Sequence, residues 1–165
     1  MTHEIYSYTL SQLDDLESGL EFYEFSAKTA WRLGVFAREF CQQEYPDRPI
    51  IIDITLANGH QLFRTAVSSG TTADNDEWIR RKYNTVFRFG KSSFHVGQKL
   101  RLKGKSMEEA LFISSKEYAG HGGSVPIRVK SFDGIVGAFT ISGLAQEEDH
   151  LLTLKILNEY INNRA

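Results

Sequence analysis

The chain has 165 residues, of which 41 % are hydrophobic, 24 % charged and 12 % aromatic, with a net charge of -2; this is the make-up of a globular chain long enough to bury one substantial core, and a single domain over residues 1–165 is expected. The charge argues against a broad nucleic-acid surface, which needs a basic face, and no apolar run approaches the roughly twenty residues of a membrane span. One cysteine excludes an intramolecular disulfide framework, and the polar start lacks the basic and apolar parts of a secretion signal, so a cytoplasmic location is expected.

Leu10, Leu13 and Leu16 mark a short amphipathic helix, and Leu20 to Phe25 reads as a weak strand. Ser26 caps a helix reaching about Gln43, with Ala30, Leu33, Gly34, Ala37, Phe40 and Cys41 on one stripe. Cys41 on that stripe is a buried thiol, not a nucleophile. Ile50 to Leu56 and Gln61 to Val67 flank Asn58-Gly59, a pair that tolerates the positive φ of a tight hairpin turn. His60, just past the turn, belongs in water.

Thr72-Ala73-Asp74 opens a helix that can be phased at 100° per residue: Ile79, Tyr83, Val86 and Gly90 share one stripe. Asn75 and Lys82 fall on its margin with Trp78 just beyond, and Arg81 and Arg88 point away. The phase therefore favours Lys82 over Arg81 as the inward or cleft-facing cation, either touching a ligand or covering apolar surface with its stem while its ammonium reaches water. The helix continues past Phe87 or breaks at Gly90; Ser92-Ser93 begins a looser region, with His95 at the surface or locally hydrogen-bonded, and Lys99 to Lys105 reads as a solvated charged loop. Ser106 and Glu109 form a capping box for a helix ending before Tyr118.

Ser124 to Val129 and Gly134 to Ile141 form a second hairpin. The final helix starts near Ala145, with Glu147, Glu148 and Asp149 favourable to its N-terminal dipole. His150, Leu154, Leu157 and Ile161 share one face of it, so His150 begins a buried stripe, as a core histidine hydrogen-bonded to backbone or as a ligand contact. Just before the second hairpin lies Gly120-His121-Gly122-Gly123, where glycines bare the backbone around an imidazole and suit close approach of a ligand.

The run Gly122-Gly123-Ser124-Val125-Pro126-Ile127, with Gly134-Ile135-Val136-Gly137 and Ser142-Gly143, resembles the signature of the GlcG-like, haem-binding-protein-like (haem-degrading domain) superfamily. Thr72 to Trp78, Lys82, Ser92-Ser93, His121-Gly122-Gly123 and Gln146 to His150 resemble more narrowly its uncharacterised branch of about this length. The resemblance spans the chain from Leu13 onward. It implies a profilin-like α+β fold, an antiparallel sheet of about five strands flanked by helices, assembled into a homo-oligomer. Some members of the superfamily bind haem.

Three readings follow. In the first, Asn75, Trp78, Lys82, His121, Ser142 and His150 line a pocket for a small anion or cofactor, helped by the N–H groups of Gly122 and Gly123, because unpaired backbone donors favour negative charge. In the second, His121 binds haem or a metal, with or without His150; two histidines fall short of a zinc site unless Asp149 or a neighbouring subunit contributes, so no metal site is assigned. In the third, the chain is a non-catalytic scaffold or chaperone-associated adaptor. No nucleophile elbow surrounds Ser142, and no reaction is assigned.

Overall fold

The computed structural model describes residues 2–163. A 3-10 turn at Glu4–Ser7 leads into α1 (Leu10–Glu17), β1 (Glu21–Phe22), α2 (Ala27–Glu44), β2 (Ile51–Leu56), β3 (Gln61–Ala66), α3 (Ala73–Phe89), α4 (Ser93–Lys103), α5 (Met107–Leu111), β4 (Ser124–Val129), β5 (Gly137–Ser142) and α6 (Gln146–Asn163). The five strands form one sheet in the order β1-β4-β5-β2-β3. Four of them are antiparallel; the two-residue β1 adds to β4 in parallel. No helix among the described residues is long and apolar enough to cross a membrane.

Alternation along the strands sends unlike side chains to the two faces of the sheet. Ile50, Ile52, Ile54, Val125, Ile127, Phe139 and Ile141 pack with Leu33, Ala37 and Cys41 of α2 and Ile156 and Leu157 of α6 in the main core. The intervening residues are mostly small or polar yet also buried: Asp53 pairs in register with Thr140, Thr140 with Ser124, and Ser142 with the apolar Ile51. Helix α3 packs against β2, β4 and β5, which explains burial on both faces. The polar row finds partners within itself and beyond, with Thr140 donating to Ser124 at 2.8 Å, Thr55 to Asp53 at 2.6 Å and Arg64 to Asp53 at 2.9 Å. Buried polar groups need such partners.

The hairpins, the 18-residue α2 capped by Ser26, and the capping boxes at Thr72 and Ser106 follow the sequence reading. Helix α3 stops before Gly90. The segment after it departs from expectation. Ser92 is the cap of α4, its Oγ accepting from His95 N at 3.0 Å, and the basic run from Lys99 forms the C-terminal half of that helix, where cations complement the dipole. His95 is buried instead of lying at the surface, its Nε2 3.1 Å from Asp14 Oδ1. Because α4 is buried on most sides from Ser93 to Leu100, it carries no amphipathic stripe for periodicity to detect.

Candidate functional site

The end of β5, the first turn of α6, the middle of α3 and the glycine segment before β4 meet around a cavity of about 260 Å³. Asn75, Trp78, Lys82, His121 and Ser142 border it, as do Gln146 and Asp149.

Lys82 is the inward cation that the helix phase favoured. Its side chain is 4 % exposed, and Nζ donates to Ser142 Oγ at 3.2 Å and to Asp149 Oδ2 at 3.3 Å. Asp149 also accepts from Gly143 N at 3.2 Å and Leu144 N at 3.0 Å, so the turn after β5 and the ammonium share one carboxylate. Burial pushes the Asp149 carboxyl up to about 6, while Lys82 and the two N–H groups hold it down. Burial lowers the Lys82 pKa, and Asp149 opposes that shift. The pair carries no net charge in either proton arrangement.

Gly123 has φ +137°, and a Cβ there would lie 2.3 Å from the Ile141 carbonyl oxygen and 3.0 Å from Lys82 Nζ. A side chain would strain the backbone and crowd the amine. The carbonyl of Gly123 accepts from Ile141 N and from Thr153 Oγ1. Gly122 N–H, expected to meet an anion, donates instead to Gln146 Oε1 at 3.1 Å; that correction makes Gly122 a brace between the glycine segment and α6.

His121 is solvent-exposed at the mouth, its ring edge-on to Trp78 with centroids 4.8 Å apart. The Arg81 guanidinium stacks 4.1 Å over the other ring, Trp78. Partial desolvation lowers the His121 pKa, and the positive charges of Lys82, Arg81 and Arg101 lower it further. His121 and Gln146 also border a second cavity of about 510 Å³, with Leu100 and Met107 on its wall and Arg81, Arg101 and Lys105 around it. Glu108, also there, accepts from Ser115 N at 2.8 Å.

His150 is not part of this cavity. It is fully buried as its helical stripe required, but it stacks on Phe94 at 4.8 Å and lies 3.9 Å from Glu17 Oε2. Neither ring nitrogen has a hydrogen-bond partner, and burial drives its pKa down to about 3. The two histidines therefore do not converge. The described residues contain no group of three or more histidine, cysteine or carboxylate side chains suited to a metal ion.

Sequence reasoning missed Gln146 as a site residue, and offered Asp149 only as a further metal ligand, not as the partner of Lys82. Asp149 starts the series Asp149, Leu152, Thr153, Ile156 and Tyr160, all buried, and the periodicity applied to His150 applies equally one residue earlier. An acidic residue opening an apolar stripe was the available signal.

The family model described as haem degrading protein HbpS-like matches residues 25–158. A UPF0303 protein of Saccharomyces cerevisiae is 45 % identical over 154 residues, covering 93 % of this chain and 84 % of that one. A UPF0303 protein of Streptomyces coelicolor is 41 % identical over 153 residues, covering 93 % and 94 %. Among solved structures, the Ybr137w protein superposes with a TM-score of 0.92 at 42 % identity, covering 97 % of this chain and 92 % of that one. A PduOC:heme complex superposes with a TM-score of 0.65 at 18 % identity, covering 81 % and 93 %, a likeness of fold alone.

Proposed function

Since the chain belongs to the HbpS-like haem degrading protein family and to its UPF0303 branch, we propose that it is a small-ligand-binding protein whose 260 Å³ cavity takes a small anion. One observation carries this reading: at the cavity wall, beside the internally neutral Lys82–Asp149 pair, the half-open ring of His121 lies in the positive field of Arg81 and Arg101. Positive potential in a cleft with low-dielectric walls attracts small anions. Asp149 neutralises Lys82 and also accepts from Gly143 and Leu144, so the positive field comes from Arg81, whose guanidinium stacks on Trp78 of the cavity wall. Asn75, Trp78 and Ser142 supply the remaining polar and flat surface. Assembly into a homo-oligomer, which the family resemblance implies, belongs to the same proposal.

The test is a melting scan of wild type and His121→Ala against phosphate, acetate and pyruvate. A ligand held only by the folded form stabilises by about 2.7 kcal/mol at a hundredfold excess over its Kd, roughly 5–10 °C for a chain of this size. The shift should shrink in the variant. No shift from any of the three anions would overturn the anion site.

A second reading concerns haem, because the larger cavity also touches His121. Haem needs an axial nitrogen and an apolar wall, and its two carboxylates need cations. His121 offers the nitrogen as a neutral imidazole, Leu100 and Met107 the wall, and Arg81, Arg101 and Lys105 the cations, so the residues fit the group. Bound there, haem would supply redox and oxygen chemistry; the chain's part would be to hold it through His121 and shield one face. A Soret band on haemin addition, lost in His121→Ala, is the expected result, and an identical spectrum for both proteins would remove this reading.

A further inference from the structure

Lys82 is placed for more than an ion pair. Its amine has two partners, Ser142 Oγ at 3.2 Å and Asp149 Oδ2 at 3.3 Å, and it also borders the 260 Å³ cavity. Gly123 keeps the space beside the amine clear, since a Cβ would come within 3.0 Å of Nζ. The amine borders the cavity together with the carboxylate of Asp149 and the hydroxyl of Ser142, so all three groups reach the same space. Lysines in such surroundings lose their proton readily and become nucleophiles toward carbonyl carbon.

We propose that Lys82 forms an imine with a small 2-oxo acid in this cavity, with Asp149 and Ser142 carrying the protons. The inference rests on the anion-binding reading of the same cavity and narrows its ligand to carboxylates that also bear a carbonyl. The ammonium first gives a proton to Asp149. Neutral Nζ then attacks the carbonyl carbon: a C–N bond forms, the π pair of the C=O bond moves to oxygen, and that oxygen takes a proton from Asp149. In the second step the nitrogen loses a proton, which is delivered through Ser142 or Asp149 to the hydroxyl. The C–O bond breaks, water leaves and the C=N bond forms. Nothing is oxidised or reduced, and the net change is loss of one water from amine and ketone. Burial favours both transfers, because it makes the neutral forms of Lys82 and Asp149 less unequal to the ion pair than they are in water.

The experiment traps the imine. Wild type, Lys82→Arg and Ser142→Ala are incubated with pyruvate or glyoxylate and sodium cyanoborohydride, whose hydride converts the C=N bond to a stable secondary amine, and the adduct is located by peptide mass. The expected result is about one adduct per chain at Lys82, absent in Lys82→Arg and slower in Ser142→Ala. The Arg variant keeps a cation beside Asp149, and its melting temperature shows whether it folds. Should it fail to fold, the wild-type peptide map decides alone. Adducts spread over exposed lysines such as Lys28, Lys103 and Lys105 with no excess at Lys82, or none, would overturn the proposal. The two readings fail separately: a pyruvate-dependent rise in melting temperature without an adduct leaves the anion site standing and removes the imine.

Discussion

Replacing Lys82 with Met removes the ammonium while keeping an unbranched side chain in the same slot. Asp149, 1 % exposed, is then left with the N–H groups of Gly143 and Leu144 and without its buried counter-charge. Removing one partner of a buried pair costs about 3–5 kcal/mol, which corresponds to roughly 6–20 °C in Tm for a chain of this length. The deficit has a definite pH dependence. Asp149 is already raised from 3.8 to about 6 by burial, and Lys82 is the largest influence holding it down. A carboxyl raised in the folded state favours folding while protonated, and that contribution is lost as pH rises through its folded pKa. Without Lys82 the pKa climbs further, so the deficit widens above about pH 6 and narrows toward pH 4. Urea melts at pH 5 and pH 8 on wild type, Lys82→Met, Asp149→Asn and the double variant measure this directly. The double variant should be more stable than the sum of the single losses implies, by about 1–3 kcal/mol. Equal deficits at both pH values together with additive single losses would refute the reasoning.

Gly123→Ala should cost about 2–6 kcal/mol, from strain at φ +137° and overlap with the Ile141 carbonyl, and it should lower anion binding beyond what its stability loss explains; calorimetry with pyruvate reads both. Glu17, which accepts from Ser92 Oγ at 3.0 Å, is pushed up to about 7 by burial, so its contribution to stability falls as pH rises from about 4.5 through 7. Glu17→Gln should accordingly match wild type near pH 4 and exceed it at pH 8 by up to about 3 kcal/mol, in melts at the two values. His150 behaves oppositely: with its pKa driven down to about 3, it contributes stability above about 6.5 that is lost as pH falls toward 3. His150→Leu should flatten that acid loss, as followed by circular dichroism. Burial pushes the Cys41 thiol up to about 12, so an aromatic disulfide reagent at pH 8 should label native protein no faster than it unfolds; rapid stoichiometric labelling would place the thiol at the surface.

Much of this was legible before any coordinates. The Asn58-Gly59 turn, the serine and threonine caps and the apolar stripe of α2 each depend on residues within a few positions of one another, and local physics decides them. The phase of α3 placed Lys82 inward and Arg81 away from the stripe by the same logic. What failed was equally physical. Helix α4 is buried on most sides, so neither periodicity nor the basic residues at its end distinguished it from a loop. His121 and His150 come from different elements that meet near the start of α6, and a helical stripe showed that His150 is buried without showing that its neighbour is Phe94.

The sequence by itself determined which faces are apolar, where helices begin and which cation turns inward, because those properties repeat with the period of the backbone. Only the tertiary structure decided that Lys82 meets Asp149 across 67 residues of chain and Ser142 across 60. That meeting depends on the strand order β1-β4-β5-β2-β3, which lays the end of β5 and the start of α6 beside the middle of α3. A period names the side of an element that is buried; the partner waiting there is chosen by how the elements pack.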